Sequence, residues 1–211
     1  MLFDFAELPG KARYKLLAST ITPRPIAWVV TTDAAGLVNA APFSFFNVLS
    51  GDPPTVGISV GRRAPGVPKD TLANIEATGE FVINLVSRAN AEAMNKTATE
   101  FPAGVDELAA AKLGRLPSVK VTPPRIAESP VAFECKLAQA VPLGPANTLV
   151  LGHVVAMHVR DDAVLDALKH YIDTPKLDLV GRMHGAGGYT TTRDQFEIRR
   201  IPYDQWDAAE G

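Results

Sequence analysis

The sequence predicts a mainly β, antiparallel fold, a barrel or sandwich with peripheral helices. Three observations predict it. The β-branched, apolar runs are short, and they follow one another with Gly, Pro and Asp between them. They do not alternate with long helical patterns, which argues against a doubly wound parallel sheet.

Taken in order, residues 11–19 predict a short helix that stops before Thr22-Pro23, because a residue preceding proline leaves the helical region. Pro25 to Thr32 reads as a buried strand closed by the turn Asp33–Gly36, and Leu37 to Ala41 as its return strand. Phe43 to Leu49 is aromatic-rich and reads as irregular. Thr55 to Val60 is a strand, and 61–70 is a loop by composition. A helix is expected over 71–78, with Asp70 as N-cap, Leu72 and Ile75 on one face and Gly79 just past its end. Glu80 to Val86 is a strand; helical stretches are expected near 89–97 and 106–113. Two longer strands come late. In the first, Val131, Phe133, Cys135 and Leu137 share an apolar face, with Glu134 and Lys136 on the other; Thr148 to Val159 is the second. The tail from Gly181 is Gly-rich, then polar. No repeat or linker divides the chain, so residues 1–211 are expected to form a single domain.

The 211 residues carry 21 Lys+Arg against 23 Asp+Glu, so a general nucleic-acid binder is not expected. The mean hydropathy is +0.06, and no run approaches the ~18 apolar residues of a membrane span, so no membrane association is expected. The first residues lack a basic n-region, and one cysteine permits no internal disulfide framework. A reducing, cytoplasmic setting is expected.

Nucleotide P-loop, zinc-protease, serine-hydrolase and Cys-x-x-Cys motifs are absent from the sequence. His153 and His158 are five apart, which places them on opposite faces of a regular strand, and no metal site is expected. Cys135, on an apolar face, reads as a small core residue. Gly185–Gly188 reads either as a plain connection or as a loop bringing His184 and Tyr189 to a ligand.

Two places have the chemistry of a ligand site. Lys69-Asp70-Thr71 stands at a helix start, with Arg62 and Arg63 just before it. Free N–H groups, a hydroxyl and cations there suit a phosphomonoester; an ordinary capped helix behind a solvated basic loop is the alternative. In Asn39-Ala-Ala-Pro-Phe-Ser-Phe-Phe-Asn47, small residues permit backbone approach to a flat ligand, while Ser and Asn supply edge donors. A hydrophobic strand and turn would look the same.

Arg24–Thr32, Asn39–Asn47, Pro53–Gly61, Lys69–Ile75 and Thr78–Asn84, in this order, resemble the flavin reductase-like, FMN-binding split-barrel family. The resemblance implies a Greek-key split β-barrel and a homodimer with FMN near the subunit boundary. It places Phe43, Ser44, Phe45 and Asn47 along the isoalloxazine and ribityl groups. It places Ser59, Val60, Gly61 and Arg62 beside the cofactor, largely through backbone, and Lys69, Asp70 and Thr71 on the phosphate. Gly181–Tyr189 is similar, with looser spacing, to the family's tail segment, which makes His184 and Tyr189 cofactor-binding candidates. The implied activity is FMN-dependent oxidoreduction: hydride from NAD(P)H to flavin N5, then on to free flavin, oxygen, an unknown partner oxygenase or another acceptor. The chemistry then belongs to the cofactor, and no side chain is assigned a catalytic role. The competing expectations are a non-catalytic binding protein for FMN or another flat anionic ligand such as haem, or a pyridoxamine-phosphate-oxidase-type oxidase.

Overall fold

The β-branched run of residues 27–32 lies one strand in from the edge of a curled antiparallel sheet. The computed structural model of the chain describes residues 1–64, 66–102, 104–203 and 206. After helix α1 (Gly10–Thr20) come β1 (Ala27–Thr32), β2 (Val38–Phe43), β3 (Phe46–Gly51), β4 (Pro54–Ala64) and β5 (Val67–Pro68). Helix α2 (Asp70–Thr78) leads to β6 (Glu80–Asn84), then α3 (Ala91–Lys96) and α4 (Glu107–Ala110). The short pair β7 (Arg115–Leu116) and β8 (Arg125–Ile126) precedes the long hairpin β9 (Val131–Leu143) and β10 (Asn147–Val159). Two further short pairs close the chain: β11 (Val164–Asp166) with β12 (Tyr171–Ile172), and β13 (Val180–Arg182) with β14 (Tyr189–Thr191).

The main sheet runs β2-β1-β6-β9-β10-β4-β3, all antiparallel, with β5 paired to β4. Its two ends, β2 and β3, are consecutive in the chain and joined only by Ser44 and Phe45. The sheet therefore curls until its edges meet at that corner, without a continuous ladder to close it. This is a split barrel, as the resemblance implies.

Two apolar clusters hold the curl. Ala27, Val29, Ile58, Phe81, Ile83, Cys135 and Val150 come from five strands and face inward, joined by Leu72 and Ile75 of α2. Trp28, Val30, Val38, Ala40 and Val82 form the outer face, covered by Met94 of α3 and Leu108 of α4. Trp28 to Val30 are fully buried. Burial of each such side chain contributes about 1.5–3 kcal/mol. The Trp28 indole N–H donates to the Thr97 hydroxyl at 2.9 Å, so its polar atom is satisfied as well. Thus α2 packs Leu72 and Ile75 against the inner cluster, while Ala73, Glu76, Ala77 and Thr78 stay exposed. Gly79 caps it with φ +71°, and its N–H donates to the Ile75 carbonyl, as the sequence predicts.

Several expectations need correction. Residues 46–51 form strand β3 rather than irregular chain, because they pair with β4. The loop expected over 61–70 is largely strand: β4 continues to Ala64 and turns back into β5. The N-cap of α2 is Lys69, and Asp70 is the first helical residue, paired with Arg63. The helix near 106–113 is one turn, with Asp106 accepting from the Ala109 N–H. Gly185–Gly188 lies in the connection of the β13–β14 hairpin. A bulge between Val154 and Ala156 resets the parity of β10. His153 then stands opposite Lys136 and His158 opposite Ala132, which share one face of β9, so the two histidines lie on the same face. Among the described residues no group of three or more His, Cys, Asp or Glu is arranged to hold a metal. Among them, too, no helix is long and apolar enough to cross a membrane.

Candidate functional site

The corner where β2 hands over to β3 and the start of α2 frame the site. Phe43 ends β2 and is buried; Ser44 is half-buried; Phe45 and Asn47 are exposed. The Phe45 carbonyl accepts from the Ser59 N–H at 2.8 Å, which ties this corner to β4. On one side a cleft of about 220 Å³ is lined by Asn39, Phe43, Arg63, Lys69, Thr71 and Glu107, with Asp70 and residues 97–101 completing it. On the other, Ser44, Phe45 and Asn47 line a second hollow of about 320 Å³ with Leu17, Ile21 and Arg24.

The first cleft receives the N-terminus of α2. No side chain among the described residues caps that end, so the helix-start N–H groups are left to the cleft. The Arg63–Asp70 ion pair at 2.6 Å is exposed and contributes little stability. The Thr71 hydroxyl is buried and donates to Asn39 Oδ1 at 2.9 Å. Asn39 Nδ2 donates to Glu107 Oε1 at 2.8 Å, and the Ala40 N–H to Glu107 Oε2 at 3.1 Å. Burial pushes the Glu107 carboxyl up, and the Asp70 charge adds to this. Bonds from its own N–H, the Ala40 N–H and Asn39 only partly offset the rise.

Arg24 governs the second hollow. Its Nη1 donates to the Ala18 and Ile21 carbonyls at 2.7 and 2.8 Å, at the C-terminal end of α1, where a cation is favoured. Its Nη2 donates to the Met183 carbonyl at 3.1 Å, and its Nε to the Ser44 hydroxyl at 3.4 Å. The guanidinium carbon lies 5.7 Å from the Phe45 ring centre, and Tyr14 is 6.0 Å from that ring. Arg24 also lines a basic cleft of about 630 Å³ with Lys11, Tyr14, Lys15, Arg182 and His184.

Comparison with known proteins identifies the family. The family model of the flavin reductase like domain matches residues 19–175. The chain belongs to that family. An uncharacterized protein of Deinococcus radiodurans is 49% identical over 209 residues, covering 97% of this chain and 91% of the relative. Nitrilotriacetate monooxygenase component B from Bacillus cereus superposes with a TM-score of 0.88 at 34% identity, covering 94% of this chain and 98% of that one. The 2-nitrobenzoate 2-nitroreductase of Pseudomonas fluorescens gives 0.89 at 31%, covering 99% and 100%. Both are similar over essentially their whole length, and the chain is a flavin-related oxidoreductase with the family's split barrel.

In this flavin reductase-like chain the candidate residues fall into separate groups. Phe43, Lys69, Asp70 and Thr71 share the first cleft; Ser44, Phe45 and Asn47 share the second. Ser59 meets the corner through its backbone, whereas Val60 is in the inner core. Gly61 stands opposite Asn147, and Arg62 donates to the Ala146 carbonyl and the Thr148 hydroxyl, so these two face β10. His184 lines the basic cleft, but Tyr189 lines another hollow with Arg88 and Glu92, so one loop does not deliver both to one place.

Sequence reasoning missed Arg24, Asn39 and Glu107. Arg24 and Asn39 head two of the stretches that carry the family resemblance, and a polar residue at or just before an apolar strand was the available signal. Glu107 had none, standing 68 residues from Asn39 in the chain.

Proposed function

We propose that the chain binds FMN across the β2–β3 corner and works as a flavin reductase-type oxidoreductase that draws electrons from NAD(P)H. The observation that carries this reading is the uncapped start of α2, opening beside Lys69 and Arg63 into a cleft that runs to Phe43. N–H donors and cations there fit a phosphate. The corner Ser44–Phe45, with an exposed ring and a half-buried hydroxyl, fits a flat polar-edged ring system. When bound, the flavin supplies the hydride-accepting chemistry. The chain's own part is positional. Lys69 and the α2 N–H groups hold the phosphate, Phe43 and Asn47 flank the ribityl chain, and backbone N–H groups at Ser44–Phe46 meet the ring edge. Arg24 holds that corner in place.

A homodimer fits the exposed apolar residues beside the corner: Leu17 on α1 and Ile21 just past it, Phe45, and Val48 and Leu49 on β3. Light scattering of the flavin-loaded protein should give twice the chain mass. The electron acceptor is free flavin or a partner oxygenase, in line with the monooxygenase component B likeness. A second reading, direct reduction of an aromatic acid, is favoured by the basic cleft beside Phe45 and the nitroreductase likeness. NAD(P)H oxidation accelerated by free flavin supports the first; acceleration by a nitroaromatic carboxylate supports the second.

The deciding experiment titrates FMN and riboflavin into wild type and Lys69→Ala by fluorescence quenching. Riboflavin lacks the phosphate, so only FMN should weaken in the variant, by about tenfold or more. Equal weakening of both ligands, or of neither, sinks the phosphate assignment.

A further inference from the structure

Glu107, Asn39 and Thr71 form one hydrogen-bonded line along the wall of the α2 cleft, and chemistry fixes its direction. Both Glu107 oxygens accept, Oε1 from Asn39 Nδ2 and Oε2 from the Ala40 N–H. An ionised carboxylate can only accept, so Asn39 must turn its NH2 toward Glu107 and its oxygen toward Thr71. The Thr71 hydroxyl has one proton and spends it on that oxygen, at 2.9 Å. Toward the cleft it then shows lone pairs alone. A neutral Glu107 allows the opposite line. Its O–H donates to the Asn39 oxygen, the amide turns over, and NH2 donates to Thr71. The hydroxyl proton is then free to face the cleft.

We propose that Glu107 is a positioning residue that decides, through Asn39, whether Thr71 meets an incoming phosphate as a lone pair or as a hydrogen-bond donor. The inference rests on reading the cleft as the FMN phosphate site. With Glu107 ionised, the phosphate is held by Lys69 and the α2 N–H groups, and the Thr71 hydroxyl adds nothing. With Glu107 neutral, the site gains a donor to a charged ligand. Glu107 is 7% exposed and Thr71 1% exposed, so water does not readily replace either partner. The charged groups around the line are Arg63, Lys69, Asp70 and Glu100, which line the same cleft, and Asp106, paired with Arg115 at the start of α4. Burial and the Asp70 charge both favour the neutral form of Glu107.

The test is the ratio of FMN to riboflavin affinity, by fluorescence quenching at one fixed alkaline pH, high enough to keep Glu107 ionised, in wild type, Glu107→Gln, Thr71→Val and the double variant. Glutamine has the shape of the neutral acid: its carbonyl accepts from Ala40 and its NH2 donates to Asn39. Glu107→Gln should raise the ratio about tenfold. Thr71→Val should abolish that gain in the double variant, yet change the ratio by less than about threefold when Glu107 is intact. A gain that survives Thr71→Val would be a plain effect of the lost charge and overturns the proposal, as does no gain at all. Unchanged riboflavin binding shows that each variant is folded. Should Glu107→Gln lose riboflavin as well, Thr71→Val alone decides: a drop of tenfold or more overturns the proposal, and a small change supports it. A wild-type ratio near one overturns the phosphate reading and this inference together, whereas a ratio lowered only by Lys69→Ala leaves the first standing.

Discussion

Arg24 donates to the carbonyl of Met183, 159 residues further along the chain, at 3.1 Å. The same guanidinium reaches the end of α1 and the Ser44 hydroxyl. The backbones of Arg24 and Arg182 also exchange hydrogen bonds, at 2.8 and 3.0 Å. One buried side chain therefore fixes three separate segments around the Phe45 ring. Replacing it removes donors from three carbonyls, that of Ala18 buried and those of Ile21 and Met183 part-buried, and Lys cannot span them, because an ammonium lacks the planar fork. Arg24→Ala and Arg24→Lys should each cost roughly 2–4 kcal/mol in urea unfolding, and both should release flavin more readily. A Lys variant as stable as wild type would show that one point charge is enough.

Ser44 lies between two strands that diverge into separate edges of the sheet. Ser44→Pro removes its N–H and restricts φ, whereas Ser44→Ala removes only a hydroxyl with a long bond to Arg24. FMN affinity should fall about tenfold or more with proline and less than about threefold with alanine. Equal retention by both folded variants would show that the N–H is not used.

Glu134 is fully buried on the face of β9 that the sequence left for polar residues. Burial pushes its carboxyl up. The N–H groups of Val119 and Lys120, with His158, outweigh that and hold it below its ordinary value of 4.5. The unfolded chain therefore binds this proton more readily than the native one. The carboxylate stabilises the fold above that ordinary value, and the contribution is lost as pH falls through the lower native value. Glu134→Gln should cost about 1–3 kcal/mol near neutral pH, where one of the two N–H groups meets an NH2 instead of an oxygen. Below pH 4.5 the urea stabilities of variant and wild type should converge. Parallel curves down to acid pH would show that the carboxylate charge is immaterial.

Gly152 faces the Phe81 ring, and an added Cβ would meet Phe81 Cζ at 2.4 Å. Phe81 is fully buried among inner-cluster residues and cannot swing away without displacing them. Gly152→Ala should destabilise by about 1–3 kcal/mol in urea unfolding. A neutral result would mean that the inner cluster has slack.

The parts of the fold legible in the sequence were those in which local chemistry and tertiary packing agree. β1 reads as a strand because its β-branched run is buried on both faces, and α2 because Leu72, Ile75 and Gly79 match a capped helix. β3 was not legible. It lies at an edge with Val48 and Leu49 exposed, so its apolar residues follow no single face. The histidine parity failed because a bulge leaves no mark in a run of apolar residues. The cleft at the start of α2 was legible as far as Lys69-Asp70-Thr71, which are contiguous. Its far wall, Glu107, arrives by tertiary folding alone.

The order of strands also has a consequence during synthesis. β9 and β10 stand between β6 and β4, yet they are made last among the main strands. Until residues 131–159 emerge from the ribosome, β6 and β4 keep bare hydrogen-bonding edges, and Ile58, Phe81 and Ile83 lack their cross-strand partners Val150, Cys135 and Phe133. The nascent chain is thus committed to waiting, sticky, for its final hairpin. Aggregation on stalling or truncation before residue 131 is the expected outcome of this strand order, whatever the stability of the finished protein.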